Sequence, residues 1–285
     1  TYPFIYGQVD HTLFPLAEWR ECTRQALGKK WLGAWTNDSW EHDDPLLVEQ
    51  IRRRILPRRG IMASDDEILI TLGAQNALYL LSSLLVDRAS KVGMEDPGYT
   101  DARNMFRLRS DNVKLLPVDE QGLVINQALD GLDLVFTTPS HQFPTTVTMP
   151  LERRLALLKK AQEQDFLIIE DDYDNEIRYH GHPVASLGEW GISTTSLTKA
   201  YGLAGLRFGW IAASHEIIEG AVRWKDYTTI SPSIFGQHVA RQALGGHEEE
   251  ILAENRSLAR EHHEIVAEWI TEHDLSWHDP VGVNG

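Results

Sequence analysis

The chain has 285 residues, 42% of them hydrophobic, which is enough to fill a large core, and it carries a formal net charge of −15. That charge repels phosphates over the whole surface and argues against non-specific nucleic-acid binding, while small anions can still bind where donors converge. No apolar run approaches the roughly 20 residues of a membrane span and no charged start followed by an apolar stretch suggests export, so the expected location is the cytoplasm; the single cysteine, Cys22, excludes an internal disulfide and a Cys-rich zinc site.

In chain order, short β-rich runs alternate with helical stretches. The start "TYPFIYGQVD", without methionine, and the end "HDPVGVNG" give the expectation of a piece of a longer protein. Residues 1–43 are expected to form an N-terminal segment near the site, with Gly7 and Trp35 as its substrate-side candidates. "DPLLVEQIRRRIL" (44–56) opens a large domain over 44–245 as a helix, with Asp44 as N-cap and Pro45 in the first turn. Strands are then predicted at "EILIT" (67–71), "KVGME" (91–95), "NVKLLPV" (112–118), "LDLVFTT" (132–138), "FLIIE" (166–170), "ISTTS" (192–196) and "RFGWIAA" (207–213). Several are apolar throughout, as strands covered on both faces should be. Helices are predicted between them at "AQNALYLLSSLLV", "PLERRLALLKKAQEQ" and "HEIIEGAVRWK". The pattern is that of an α/β three-layer sandwich around a mostly parallel sheet. From Ser231 it turns helical, and "GGHEEEILAENRSLAREHHEIVAEWITEH" is expected to lead toward a smaller α+β domain that begins over 246–285 with a strand at "LSWHDPVG".

Ligands of open α/β sheets bind beyond the carboxyl ends of the strands, so the residues just past each strand carry the chemistry. After 67–71 a glycine turn, Gly73-Ala74-Gln75, opens a helix whose backbone N–H groups suit a phosphate. After 91–95 "DPGY" brings Tyr99 to the start of a helix, and after 132–138 the loop "PSHQFPTT" carries His141 and Gln142. His141 has no flanking carboxylate or second histidine at ligand spacing, so no metal is expected there. After 166–170 comes "DDYDNE", whose adjacent carboxylates fit a helix N-cap, a divalent-metal site using Asp171, Asp172 and Asp174, or one acid facing a protonated ring nitrogen. After 192–196 comes "LTKAYGLAGLR", with Lys199 and Arg207.

Together these strand ends supply what one cofactor requires. Pyridoxal phosphate needs an amine for a Schiff base, a carboxylate to keep its ring nitrogen protonated, an aromatic face, a donor to its phenolic oxygen and an anion cradle. Lys199, Asp171, Tyr99, Tyr173 and the 73–75 turn with Ser196, Thr198 and Arg207 match those roles.

"SLTKAYGLAGLRFGW", "EDPGY", "TPSHQFPT" and "IIEDDYDNEIRY" resemble the fold type I pyridoxal-phosphate enzymes, in particular class I/II aminotransferases and the aminotransferase-like domain of MocR-type transcription regulators. The resemblance covers nearly the whole chain. It implies Lys199 as the catalytic Schiff-base residue, Ser196 and Arg207 as phosphate ligands, Tyr99 as the ring-stacking aromatic and Asp171 as the pyridinium partner. It also implies a homodimer acting on an amino acid and a 2-oxo acid, or an effector-sensing regulator domain, or a related lyase or decarboxylase. The lysine motif with its "YGLAGLR" tail is more similar to the free-standing enzymes, whereas "PSHQFPT" and "EDDYDNE" are more similar to the regulators. Two departures stand out. His141 or Gln142 occupies the place of the family's asparagine, and "WTNDSWEHDDP" replaces the segment whose tyrosine reaches a neighbouring subunit's phosphate. The arginine that grips a substrate carboxylate is expected beyond Gly285.

Overall fold

The computed structural model describes residues 12, 14–37, 42–177, 185–187, 191–197 and 199–276. Gly7 and Thr198 lie outside them, as does the predicted strand at "LSWHDPVG" beyond its first two residues. The described helices are α1 (Leu16–Ala26), α2 (Leu32–Thr36), α3 (Pro45–Gln50), α4 (Ala74–Leu85), α5 (Thr100–Arg109), α6 (Leu151–Gln164), α7 (His215–Asp226), α8 (Ile234–Gln242) and α9 (Glu248–Glu272). The strands are β1 (Ile68–Thr71), β2 (Lys91–Asp96), β3 (Asn112–Asp119), β4 (Gly122–Leu123), β5 (Leu134–Thr137), β6 (Leu167–Asp171), β7 (Gly191–Ser196) and β8 (Gly209–Ala212).

Each strand predicted between 67 and 213 is present, and they join β4 in one sheet of order β1-β8-β7-β6-β5-β2-β3-β4. β3, β2, β5, β6 and β7 run parallel, while β8 is antiparallel to both β7 and β1. An antiparallel neighbour needs no crossover helix. The chain therefore passes from β7 to β8 through the 197–208 loop alone, and that loop carries Lys199.

Alternate strand residues point to opposite faces, which builds two cores. Leu69, Met94, Phe136, Ile169, Ile192 and Ile211 pack beneath the face bearing α4, α5 and α7. Ile68, Ile70 and Trp210 pack on the other side with α1, α3, α8 and the start of α9, beside a cluster of Val135, Ile168 and Leu157. The expected three layers are thus present.

Several helix boundaries differ from expectation. Asp44 caps α3 as predicted, its side chain accepting from Leu47 N at 2.9 Å, but the 44–56 helix is α-helical only to Gln50 and continues as a π-helical turn (51–55) and a 3-10 turn (56–59). A second π-helical turn (243–247) separates α8 from α9. Wider turns of this kind interrupt the regular i→i−4 ladder while keeping the chain helical, so the apolar periodicity survives them and hides them from the sequence. α1 was not expected; Trp19, Cys22 and Ala26 bury its inner face against the α3–α8 core.

Candidate active site

β7, β8 and β1 bring three distant segments together at one edge. Thr71 pairs with Gly209, and Gly209 with Ser196, so the exits of β1 and β7 flank the start of β8. A Cβ on Gly209 would lie 2.4 Å from the Thr195 carbonyl oxygen and 2.8 Å from the Gly73 Cα, which explains why glycine stands there. Gly73 has φ +95° and caps α4. A Cβ there would sit 3.2 Å from Arg207 Nη2 and 3.8 Å from Ser196 Oγ. Glycine is thus needed at 73 both for its backbone and for the space. The exposed Arg207 donates to the Leu72 carbonyl at 3.2 Å, and Ser196 Oγ to the Phe208 carbonyl at 3.1 Å. The result is a cluster of a guanidinium, a hydroxyl and the first N–H groups of α4, a cradle of donors that would suit an anion.

Lys199 stands three residues beyond Ser196, exposed, in a turn closed by the Gly202 N–H to the Lys199 carbonyl at 3.4 Å. Asp171, at the end of the neighbouring β6, shares its register with Thr194 and is 5% exposed. Thr194 Oγ1 donates to Asp171 Oδ1 at 3.1 Å. Burial, and beyond it the charges of Asp172, Asp174 and Glu170, pushes the Asp171 carboxyl up to about 7 against the pull of that hydroxyl. An acid so placed favours a cation opposite it.

Tyr99, at the N-cap of α5, donates to Gln75 Oε1 at 2.7 Å and meets Phe143 edge to face at 5.9 Å. Phe143 and Gln75 thereby join it in an aromatic and polar wall beside the cradle. Ala74 and Gln75 occupy the first turn of α4, as the sequence implied.

The 139–146 loop is organised from within. The Gln142 amide donates to the Pro97 and Phe143 carbonyls at 2.8 Å each and to Glu95 Oε2 at 3.2 Å, and its oxygen accepts from Thr145. Gln142 therefore ties the loop after β5 to the loop after β2. Tyr173 donates to the His141 carbonyl at 2.9 Å and stacks on the His141 ring at 5.7 Å, and His141 Nδ1 is paired with Asp174. His141 Nε2 is buried without a hydrogen-bond partner. Trp35 lies half-buried in α2, a helix that packs against α8.

Glu95 was missed from sequence. Buried at the end of β2, it accepts from Thr137 Oγ1, the Thr138 N–H and Thr138 Oγ1 as well as from Gln142, and burial raises its carboxyl. Its only sequence signal was an acid closing an apolar run. Of the three acids named in the divalent-metal reading of "DDYDNE", two have partners of their own. Asp172 is paired with Arg59 at 3.0 Å and Asp174 with His141, which leaves Asp171 as the acid held by a single hydroxyl.

Residues 42–282 match the family model described as aminotransferase class I and II. The chain belongs to the class I and II aminotransferase family. It is 39% identical over 281 residues to the HTH-type transcriptional regulator TauR of Rhodobacter capsulatus, covering 96% of this chain and 58% of that protein. It therefore spans somewhat over half the length of that relative. It is 29% identical over 253 residues to aromatic-amino-acid aminotransferase 1 of Thermococcus litoralis, covering 82% of this chain and 59% of that one. Among solved structures, the kynurenine aminotransferase of Pyrococcus horikoshii, crystallised with PMP, superposes with a TM-score of 0.85 at 26% identity, covering 93% of this chain and 69% of that one. The fold is thus the aminotransferase fold.

The residues present fit the family cofactor, pyridoxal 5'-phosphate, on two observations. The cradle at Gly73 is one that a Cβ would fill, and Asp171 is a buried acid in want of a cation.

Proposed function

We propose that this chain holds pyridoxal phosphate through Lys199 and removes the amino group of an amino acid, with a 2-oxo acid as the second partner. The observation that carries the reading is the convergence of Gly73, Ser196 and Arg207 beside the Lys199 turn, with the buried Asp171 on the neighbouring β6. When bound, the cofactor supplies a conjugated electron sink for a substrate α-carbon. Each protein group then has one task. Arg207, Ser196 and the N–H groups at 74 and 75 hold the phosphate. Asp171, ionised opposite a ring nitrogen, keeps the proton on that nitrogen. Tyr99 would cover the ring, and the Tyr173 phenol, which donates to the His141 carbonyl, would have to turn from it to serve the phenolic oxygen. Lys199 Nζ would be the amine that holds the cofactor and the base available to move a proton at a substrate α-carbon.

A second reading has its own support. The similarity to TauR over 96% of the chain favours a setting in which the same amine exchange reports an amino-group effector to a transcription regulator. One experiment separates the two. Full-length protein loaded with pyridoxal phosphate is mixed with amino acids in turn, its absorbance is followed, and products are analysed by mass spectrometry. Complete conversion to the amine form with release of a 2-oxo acid supports the enzyme. A spectral change that halts without a 2-oxo acid supports the sensor, and a different product would indicate lyase or decarboxylase chemistry. Absence of any cofactor absorbance sinks both.

The fold also supports assembly of two copies. Tyr227, 89% exposed, and Ile230, 55% exposed, border a surface groove of about 350 Å³ with Arg223 and Asp226. An exposed aromatic and aliphatic pair beside a groove is the kind of surface that association covers. Sedimentation of the loaded protein tests it; a monomer at micromolar concentration is the contrary result.

A further inference from the structure

α9 is docked along only part of its length. Ile251, Leu252 and Ala259 are buried, whereas most residues from 260 to 272 are exposed and none is buried. Within the docked part, one face makes three polar ties, and each ends on a loop of the candidate site. Glu248, in the first turn and 3% exposed, accepts from the Tyr201 hydroxyl at 3.3 Å while Arg54 and Arg58 hold its carboxylate at 2.8 Å each. Two turns on, Asn255 Nδ2 donates to the Ala200 carbonyl at 2.7 Å. The next residue, Arg256, donates through Nε to the Glu176 carbonyl at 2.7 Å. Ala200 and Tyr201 are the two residues after Lys199. Glu176 sits in the 3-10 turn Asn175–Ile177 that follows Asp171–Asp174 and is itself bound by Arg59. A single helix face therefore grips both the loop bearing the amine and the turn that follows the acid's strand. Side chains at i, i+7 and i+8 share a face, so a rigid rotation of the helix displaces all three ties together.

We propose that Asn255 and Arg256 are positioning residues: through the Ala200 and Glu176 carbonyls, α9 sets the placement of Lys199 relative to Asp171. The proposal rests on the cofactor reading given under the proposed function. Neither residue belongs to the motifs that the sequence offered. Removing Asn255 leaves the Ala200 carbonyl without its donor and frees the turn in which Lys199 stands. Removing Arg256 does the same to the turn after Asp171.

The test uses full-length protein loaded with pyridoxal phosphate and reads the pH midpoint of the cofactor's visible absorbance, with its rate of release on dilution. In Asn255→Ala and Arg256→Ala the midpoint is expected to move by ~0.5 pH unit or more, because the amine's surroundings change. Release is expected to quicken about fivefold, the scale of one ordinary hydrogen bond. Asn255→His keeps a donor nitrogen at a similar reach and should recover the wild-type midpoint. Arg260→Ala, exposed on the same helix, is the control and should leave the midpoint in place. Midpoints and release rates equal to wild type in the two alanine variants overturn the proposal while leaving the cofactor reading intact. Wild-type protein that takes up no cofactor overturns both. Should Asn255→Ala fail to fold, the Arg256→Ala titration decides.

Discussion

The two faces of β6 treat their buried acids differently. On one face Glu170 is held by Arg154 at 3.2 Å, by the Leu187 N–H at 2.9 Å and by Ser186, while Asp172 is held by Arg59, which also takes Glu176 and Thr195. On the other face Asp171 has Thr194 and, among the described residues, no arginine. Burial raises both Glu170 and Asp171, yet only Glu170 has a fixed cation to lower it again. Charges with built-in partners brace the structure, and a charge supplied with less than it needs is kept for a ligand. The two roles sit on consecutive residues because a strand sends neighbours to opposite faces.

The contrast can be tested at several points. The greatest loss is expected at Lys199: Lys199→Ala should abolish retention of the cofactor through gel filtration, read as loss of visible absorbance, while the unfolding midpoint of the cofactor-free protein stays unchanged. Next is the bracing face. Arg59→Ala strands Asp172 and Glu176 and should cost about 3–5 kcal/mol in urea unfolding. If it costs less than about 1 kcal/mol, the bracing role is wrong.

The most direct test pairs neighbours on the strand. Asp171→Asn should stabilise the cofactor-free protein at pH 8 by about 1–2 kcal/mol while weakening cofactor binding at least ~10-fold. Glu170→Gln should destabilise it by about 1–3 kcal/mol, because Arg154 loses its charge partner. The pH dependence comes from the raised Asp171 carboxyl, which binds more protons folded than unfolded between 3.8 and about 7. Its contribution to stability is therefore full below the lower value and lost as pH rises through the upper one. Conversely, affinity for a cofactor with a protonated ring nitrogen should fall as pH drops below about 7. Asp171→Asn should remove both slopes, measured by thermal unfolding and equilibrium dialysis from about pH 5 to 8. A minor change is expected from Thr194→Val, about 1 kcal/mol, with the affinity slope moved to higher pH as Asp171 loses its donor.

Much of the site was legible because each group lies just past a strand, and strand ends in parallel sheets are readable from apolar runs. Lys199, Asp171, Tyr99 and Gly73 were singled out as candidates this way. Glu95, Arg59, Asn255 and Arg256 were not, since each acts across a long sequence separation on a backbone carbonyl or a buried partner, and no local pattern records that. Gln142 was legible as a loop residue, but its hydrogen bonds to Pro97, Phe143 and Glu95 were not.

The alternation of strands and helices, the α/β class and the chemical types gathered at the strand ends are all written in the order of the residues, because periodicity and turn residues are local properties. The antiparallel placement of β8 between β1 and β7 is not; it belongs to the packed molecule, where it closes Gly73, Ser196 and Arg207 into one cradle and hangs Lys199 on the connecting loop. Packing likewise assigns an arginine to two of the consecutive acids at 170–172 and, among the described residues, none to the third. Strand order and cross-strand partners arise from contacts between residues far apart in the chain, and only the assembled sheet fixes them.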